Sequence, residues 1–437
     1  MPCLRTLARL TVAGLLVLGL ARPAAAVLEI DITQGRVDPL PIAVSPFVGT
    51  GAQRPDLGRQ IADVVAADLA SSGLFRPIDR QAFIQGPEEM EPTPRFADWR
   101  QINAQALVTG RAEDTGGRLA VEFRLWDVFA GEQLEGMRYA AEPANWRRVA
   151  HKIADQIYQR ITGDSGYFDT RIVYVAEAGP KTDRVKRLAI MDQDGANHQF
   201  LTDGRELVLT PRFGTNAGRV AYMAYRGPTP RVYVRDLASG SDSALGNLSG
   251  MTFAPHFSPD GRSVALSLAQ GGNTDIYLQD LGGGARRLTD SPAIDTSPSF
   301  SPDGSRIVFN SDRGGSPQLY VMNRDGSGVK RISYGQGRYG TPVWSPRGDL
   351  IAFTLLKEGF FHIGVMTPEG ADERLLTRSY QEEGPTWAPN GRTILFARER
   401  FAGDPSRLYS IDITGYNERE LPTPLDASDP DWSPLLP

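Results

Sequence analysis

The residues best suited to nucleophilic or metal chemistry are few: four histidines, at 151, 198, 256 and 362, and one cysteine, Cys3. The histidines form no H-E-x-x-H pair, and one thiol makes neither a disulfide nor a thiolate metal site. No serine occupies a G-x-S-x-G elbow, and no Walker glycine-lysine loop occurs. Gly49-Thr50-Gly51 has two glycines of a dinucleotide fingerprint, but Arg54 stands where the third belongs, so it reads as a plain strand-to-helix turn. His256 lies inside a repeated motif, where packing or lining a channel suits it better than catalysis. Four acids, Asp295, Glu382, Glu383 and Asp429, recur just before copies of that motif. Near a common axis they would suit a cation; on a surface they would suit a partner; otherwise they are solvated loops. The expectation is a chain with no catalytic residue, no metal and no cofactor. Over 437 residues the formal charge is −5, without the basic footprint of a nucleic-acid binder.

The elements that position these residues are read from a repeat. Pro255-His256-Phe257-Ser258-Pro259-Asp260-Gly261 recurs as Pro298 to Gly304, Pro342 to Gly348 and Pro385 to Gly391, with partial copies at Pro211-Arg212-Phe213 and Pro430 to Pro434. The aromatics at 213, 257, 300, 344, 387 and 432 are spaced 44, 43, 44, 43 and 45 apart. Ser-Pro-Asp-Gly suits a type I turn, and the aromatic before it has the bulk to fill space between packed sheets. A β-rich run follows each turn, as in Arg306 to Phe309. A second run follows, as in Gln318 to Val321, then hairpin signals such as Asp325-Gly326 and a short last strand. Four strands per repeat make a propeller blade, and six copies make a six-bladed ring. The first run, Arg171 to Val175, lacks a motif before it, and the last motif lacks strands after it. Placing the C-terminal strand in the first blade completes both and removes the open edges.

The first part of the chain reads differently. Arg5 and Arg9, an apolar run from Leu10 to Leu20 and Ala24-Ala25-Ala26 suggest a secretory signal peptide over 1–26, cleaved after Ala26. The run is too short to span a bilayer, so no membrane insertion is expected. The one cysteine lies in this segment, in keeping with export to the periplasm. Beyond a tail over 27–38, residues 39–162 read as an α/β domain. Strands are expected at Glu29 to Thr33, Ile42 to Phe47, Ala106 to Thr109, Leu119 to Leu125 and Leu134 to Ala141. Helical periods run through Leu57, Ile61, Val64, Val65 and Leu69, and through Trp146, Val149, Ile153, Ile157 and Ile161. Residues 163–168 are a linker, and 169–437 the six-bladed β-propeller closed by the C-terminal strand.

This order of parts resembles the TolB family of the Gram-negative Tol-Pal system along essentially the whole chain. F-S-P-D-G is common to many propellers. V-L-E-I-D-I-T-Q-G from Val27, P-I-A-V-S-P-F from Pro41 and the terminal D-P-D-W-S-P are more specific. The resemblance implies a non-enzymatic periplasmic adaptor linking TolA to the lipoprotein Pal, with roles in outer-membrane integrity and constriction at division. It implies that the tail, with Leu28, Glu29, Ile30, Asp31 and Ile32, meets TolA, where alternating apolar residues suit strand pairing with another chain. Packing as a first strand within its own domain is the alternative for that segment. The resemblance also implies that Pal meets one propeller face around the channel, where the matching positions are Thr252, Asp295, Thr296, Arg338, Tyr339, Glu382 and Glu383. Arg338 and Tyr339 come first there, as exposed anchors. The family pattern carries a histidine near Met251 that this chain lacks. Other envelope proteins are further candidate partners, and nucleic acid is not. The competing reading is a periplasmic propeller enzyme or carbohydrate-binding protein using the central channel.

Overall fold

A computed structural model describes residues 28–30, 38–50 and 56–437, so the expected signal peptide lies outside the described residues. The first layer is a sheet of β1 (Leu40–Val44), β2 (Val48–Thr50), β3 (Phe75–Pro77), β4 (Ala106–Asp114), β5 (Leu119–Asp127) and β6 (Glu132–Ala141). Its order is β3-β1-β4-β5-β6, with β2 also alongside β4. The pairs of β1 with β3 and β4 are parallel, and those of β4, β5 and β6 are antiparallel. Side chains alternate across the sheet, and both faces are covered. Ile42, Val44, Val108, Val121 and Phe123 meet helices α1 (Leu57–Ser71) and α3 (Trp146–Thr162). Ala43, Leu107 and Trp126 meet Trp99 of the short α2 (Phe96–Gln101). The helices follow the apolar periods expected, and α3 stops where Gly163 turns left-handed at φ +76° and donates to the Gln159 carbonyl.

The expected strand over Glu29 to Thr33 is corrected at its described residues, because Leu28–Ile30 are not strand. The N–H of Ile30 instead donates to the Ile161 carbonyl at the end of α3 (3.0 Å), and its side chain joins the core. Asp31 and Ile32 lie outside the described residues.

Six four-stranded antiparallel sheets then form the propeller. The inner strands are Val208–Phe213, Met251–Phe257, Asp295–Phe300, Arg338–Trp344, Gln381–Trp387 and, for the blade built on Arg171–Ala178, the final strand Asp426–Trp432. That final strand pairs antiparallel with Arg171–Ala178, with Trp432 opposite Ile172 and Asp426 opposite Glu177, so the ring closes as expected.

One apolar core runs from the α/β layer into the ring through residues 167 and 168. The Tyr158 ring meets the edges of Tyr167 and Phe168 at 5.9 and 5.8 Å, and Tyr167 meets Trp432 at 5.8 Å. Trp432 Nε1–H donates to Thr170 Oγ1 (2.8 Å), while Arg148 grips both Asp169 oxygens and the Pro437 carbonyl. Buried Asp155 accepts the N–H groups of Phe168 (2.7 Å) and Asp169 (3.1 Å). Further contacts place the α/β domain on one end of the ring. Arg347, in a Ser-Pro turn, meets Asp164 (2.6 Å), and Asn417, in an outer hairpin, donates to the Ser71 carbonyl (3.0 Å).

A chain ended at Leu425 loses the closing strand and bares Ile172, Val175 and Ala176, so its melting temperature should fall by about 10 °C or more; an unchanged melt contradicts this. Burial outweighs the two backbone hydrogen bonds on Asp155 and raises its pKa to about 7. A carboxyl raised on folding stabilises fully below its unfolded value, and that stability is lost as pH rises through 7. Its contribution is at most on the order of 4 kcal/mol. Denaturant titrations of Asp155→Asn should therefore show a flatter pH dependence between pH 4 and 7 than the parent chain.

Candidate functional site

Every inner strand carries a kink at the same place. Thr210, Ala254, Ser297, Thr341, Gly384 and Asp429 have φ between 42° and 66°, and each precedes a proline and stands three residues before the repeat aromatic. Strand register shifts at all six, so each is a β-bulge. Five are not glycine and cost about 1–2 kcal/mol each in left-handed backbone, a cost repeated in every blade but the one with Gly384.

Between bulge and aromatic, the residues just before each ring form a belt around the axis: Arg212, His256, Ser299, Val343, Thr386 and Asp431. The belt stitches blade to blade. The Trp344 N–H donates to Ser299 Oγ (3.1 Å) and the Phe213 N–H to Asp431 Oδ2 (2.7 Å), while the Thr386 hydroxyl donates to Asp431 Oδ1 (2.9 Å). His256 Nε2 lies 3.3 Å from Ser299 Oγ. Burial, with Arg212 nearby, lowers the His256 pKa to about 4 and keeps the ring neutral. Below the belt, facing the α/β domain, the six repeat aromatics and the five prolines that follow them, with Gly214 and Thr215 in the remaining copy, line an open cavity of about 330 Å³.

The opposite end holds the positions singled out for a partner. Thr252, Asp295, Tyr339 and Glu382 occupy one repeat position, two residues before the bulge, and all four are buried. Thr252 Oγ1 accepts the N–H of Val232 from the preceding blade (2.8 Å). Asp295 pairs with Arg313 (2.8 Å), and Glu382 pairs with Arg398 (2.9 Å), which also grips Glu418 and lies over Phe396 and Tyr409. Tyr339 is 1 % exposed, its ring tilted against Phe353 at 5.3 Å, with its hydroxyl donating to Glu373. The expectation of Tyr339 as an exposed anchor is corrected: the bulge turns its side chain into the blade. Thr296 is half-buried, while Arg338 and Glu383 are exposed. Asp429 reaches across the seam, where its Oδ2 accepts the Thr210 N–H (3.2 Å).

Sequence reading missed the large apolar side chains that stand out on this end. They sit in blade-to-blade connections and second hairpins: Ile294, Tyr334 (69 % exposed), Phe360, Tyr380 and Phe401 (72 % exposed). Arg378 lies 3.8 Å over the Phe360 ring, and Arg331 5.1 Å over Tyr334. Their signal was weak, since each sits outside the motif, four in loops whose sequence differs from blade to blade and Phe360 at the very start of a strand. Exposed aromatics with arginine are what protein interfaces concentrate. Glu382→Gln should cost about 3 kcal/mol by leaving Arg398 partly unpaired, whereas Arg338→Ala should stay within about 0.5 kcal/mol; urea unfolding compares the two.

Comparison with known proteins adds the lineage. Residues 28–134 match the family model for the TolB amino-terminal domain, and residues 158–436 that for the TolB beta propeller domain. The Tol-Pal system protein TolB of Paramagnetospirillum magneticum is 56 % identical, with 100 % of this chain and 99 % of that one covered. Its counterpart from Gluconobacter oxydans is 49 % identical, with 93 % of this chain and 88 % of that one covered. The crystal structure of TolB from Acinetobacter baumannii superposes with a TM-score of 0.81 at 27 % identity, over 93 % of this chain and 100 % of that chain.

Proposed function

The chain belongs to the TolB family, and from that premise we propose that it is a non-enzymatic periplasmic adaptor joining the lipoprotein Pal to TolA. Through that bridge it supports outer-membrane integrity and the inward pull of the envelope at division. The observation that carries the reading is the separation of two docking features. The aromatic and arginine rim lies on the end of the ring away from the α/β domain, and the tail leaves from the α/β domain itself. One chain can then hold two partners without their colliding.

Pal meets the rim. Arg338, Thr296 and Glu383 touch it together with Tyr334, Tyr380, Phe360 and Phe401, while Thr252, Asp295, Tyr339 and Glu382 hold those loops in place from beneath. TolA meets the tail, residues 27–38, including Leu28, Glu29, Ile30, Asp31 and Ile32. The described part of that tail is held by the Ile30 hydrogen bond and apolar packing, and it sits in no sheet, so releasing it breaks no strand ladder. Export follows from the basic and apolar pattern of residues 1–26. Among the described residues no helix is long and apolar enough to cross a membrane. The polar groups of the channel belt are spent on blade-to-blade hydrogen bonds, which favours scaffolding over catalysis.

Calorimetry with the soluble part of Pal tests the rim: Tyr334→Ala and Phe401→Ala should each weaken binding by about 1–2 kcal/mol with no change in melting. Unchanged affinity in both moves Pal elsewhere. Deleting residues 27–38 should abolish capture of TolA and leave Pal binding intact, and a pull-down that still recovers TolA refutes the tail assignment.

A further inference from the structure

Where α1, α3 and an outer hairpin of the first blade meet, Asp68, His151 and Asp194 bring three ligand atoms within 4.8 Å of one another. Asp68 and His151 are buried, at 1 % and 2 % exposure, and Asp194 is half-buried. Asp68 Oδ2 lies 2.6 Å from His151 Nδ1, and its other oxygen accepts from Gln193 Nε2 (2.8 Å) across the domain boundary. The carboxylate thus fixes the imidazole through Nδ1. The other ring nitrogen, Nε2, is buried and has no hydrogen-bond partner. A buried nitrogen left in this way costs free energy unless something binds it. A histidine held by a carboxylate on one nitrogen and free on the other is the usual arrangement behind a metal-bound imidazole.

We propose that this seam is a divalent metal site, with His151 binding through Nε2, Asp194 through its carboxylate, and Asp68 orienting the ring. Imidazole nitrogen and carboxylate oxygen, without a thiolate, suit Zn²⁺ better than Ca²⁺ or Mg²⁺, which prefer all-oxygen shells. The ligands come from both domains, so the ion clamps the α/β domain to the propeller and the site exists only when the two are docked. Arg147, one turn before His151 on α3, pairs with Asp194 and lies 3.9 Å from Asp192. Its guanidinium holds the place of positive charge that the ion takes, and its own Nε, though near Asp192, is likewise buried without a hydrogen bond. Arg147 is therefore the ion's competitor.

The test is calorimetric titration of ZnCl₂ into the full chain purified without chelator, with thermal melting alongside. One ion per chain should bind and raise the melting temperature. Binding should weaken at least tenfold in His151→Gln and in Asp194→Asn, and strengthen in Arg147→Gln. Asp194 sits on a half-exposed hairpin, so Asp194→Asn decides the matter should His151→Gln unfold. Absence of saturable one-to-one binding overturns the proposal. So does unaltered binding in Asp194→Asn, which places the ion on other histidines, and equal binding of Ca²⁺ overturns the choice of metal.

Discussion

The pairing of Asp426–Trp432 with Arg171–Ala178 is the constraint on which the other features rest, because it does two jobs with one strand. It supplies the inner strand that its blade lacks and pairs the edge of Arg171–Ala178 that would otherwise stand open, over Ile172, Val175 and Ala176. Its last residue, Trp432, also reaches the linker, where the indole N–H meets Thr170 and the ring packs against Tyr167. Closure of the ring and attachment of the α/β domain are therefore one structural event.

Within the closed ring the bulges settle what each inner strand shows to the channel and what it buries. The belt just before the aromatics spends its hydrogen bonds on neighbouring blades, and the two charges that stand two residues before a bulge, Asp295 and Glu382, pair with arginines inside their own blades. The loops at the far end are where large side chains remain exposed, Tyr334 and Phe401 foremost, with Arg331 and Arg378 lying over the Tyr334 and Phe360 rings. The exposed side chains of those loops take no part in the strand ladders, so they can vary while the repeat holds its architecture constant.

The ring, its six copies and its closure were legible because a bulky aromatic at a spacing of 43 to 45 residues marks every blade. Helices α1 and α3 were legible from their apolar periods. The short β3 and α2 were not, since three strand residues and six helical ones carry little pattern and depend on pairing with β1 and on packing of Trp99. Tyr339 was misplaced for a specific reason. It stands five residues before Trp344, and in a regular strand an odd spacing puts two side chains on opposite faces. The extra residue of the bulge at Thr341 reverses that alternation and buries both on one side. The seam between Asp68 and His151 joins residues 83 positions apart, and no local pattern announces it.

The linker enters the ring at the same end from which the α/β domain hangs, and it continues directly into Arg171–Ala178. Tension on that domain, directed away from the ring, runs along this strand rather than across it. Its hydrogen bonds to the closing strand on one side and to Val185–Asp192 on the other lie perpendicular to the pull. The two ladders are loaded in shear, all rungs together, and cannot peel open one rung at a time. The geometry resists extension along the axis of that strand.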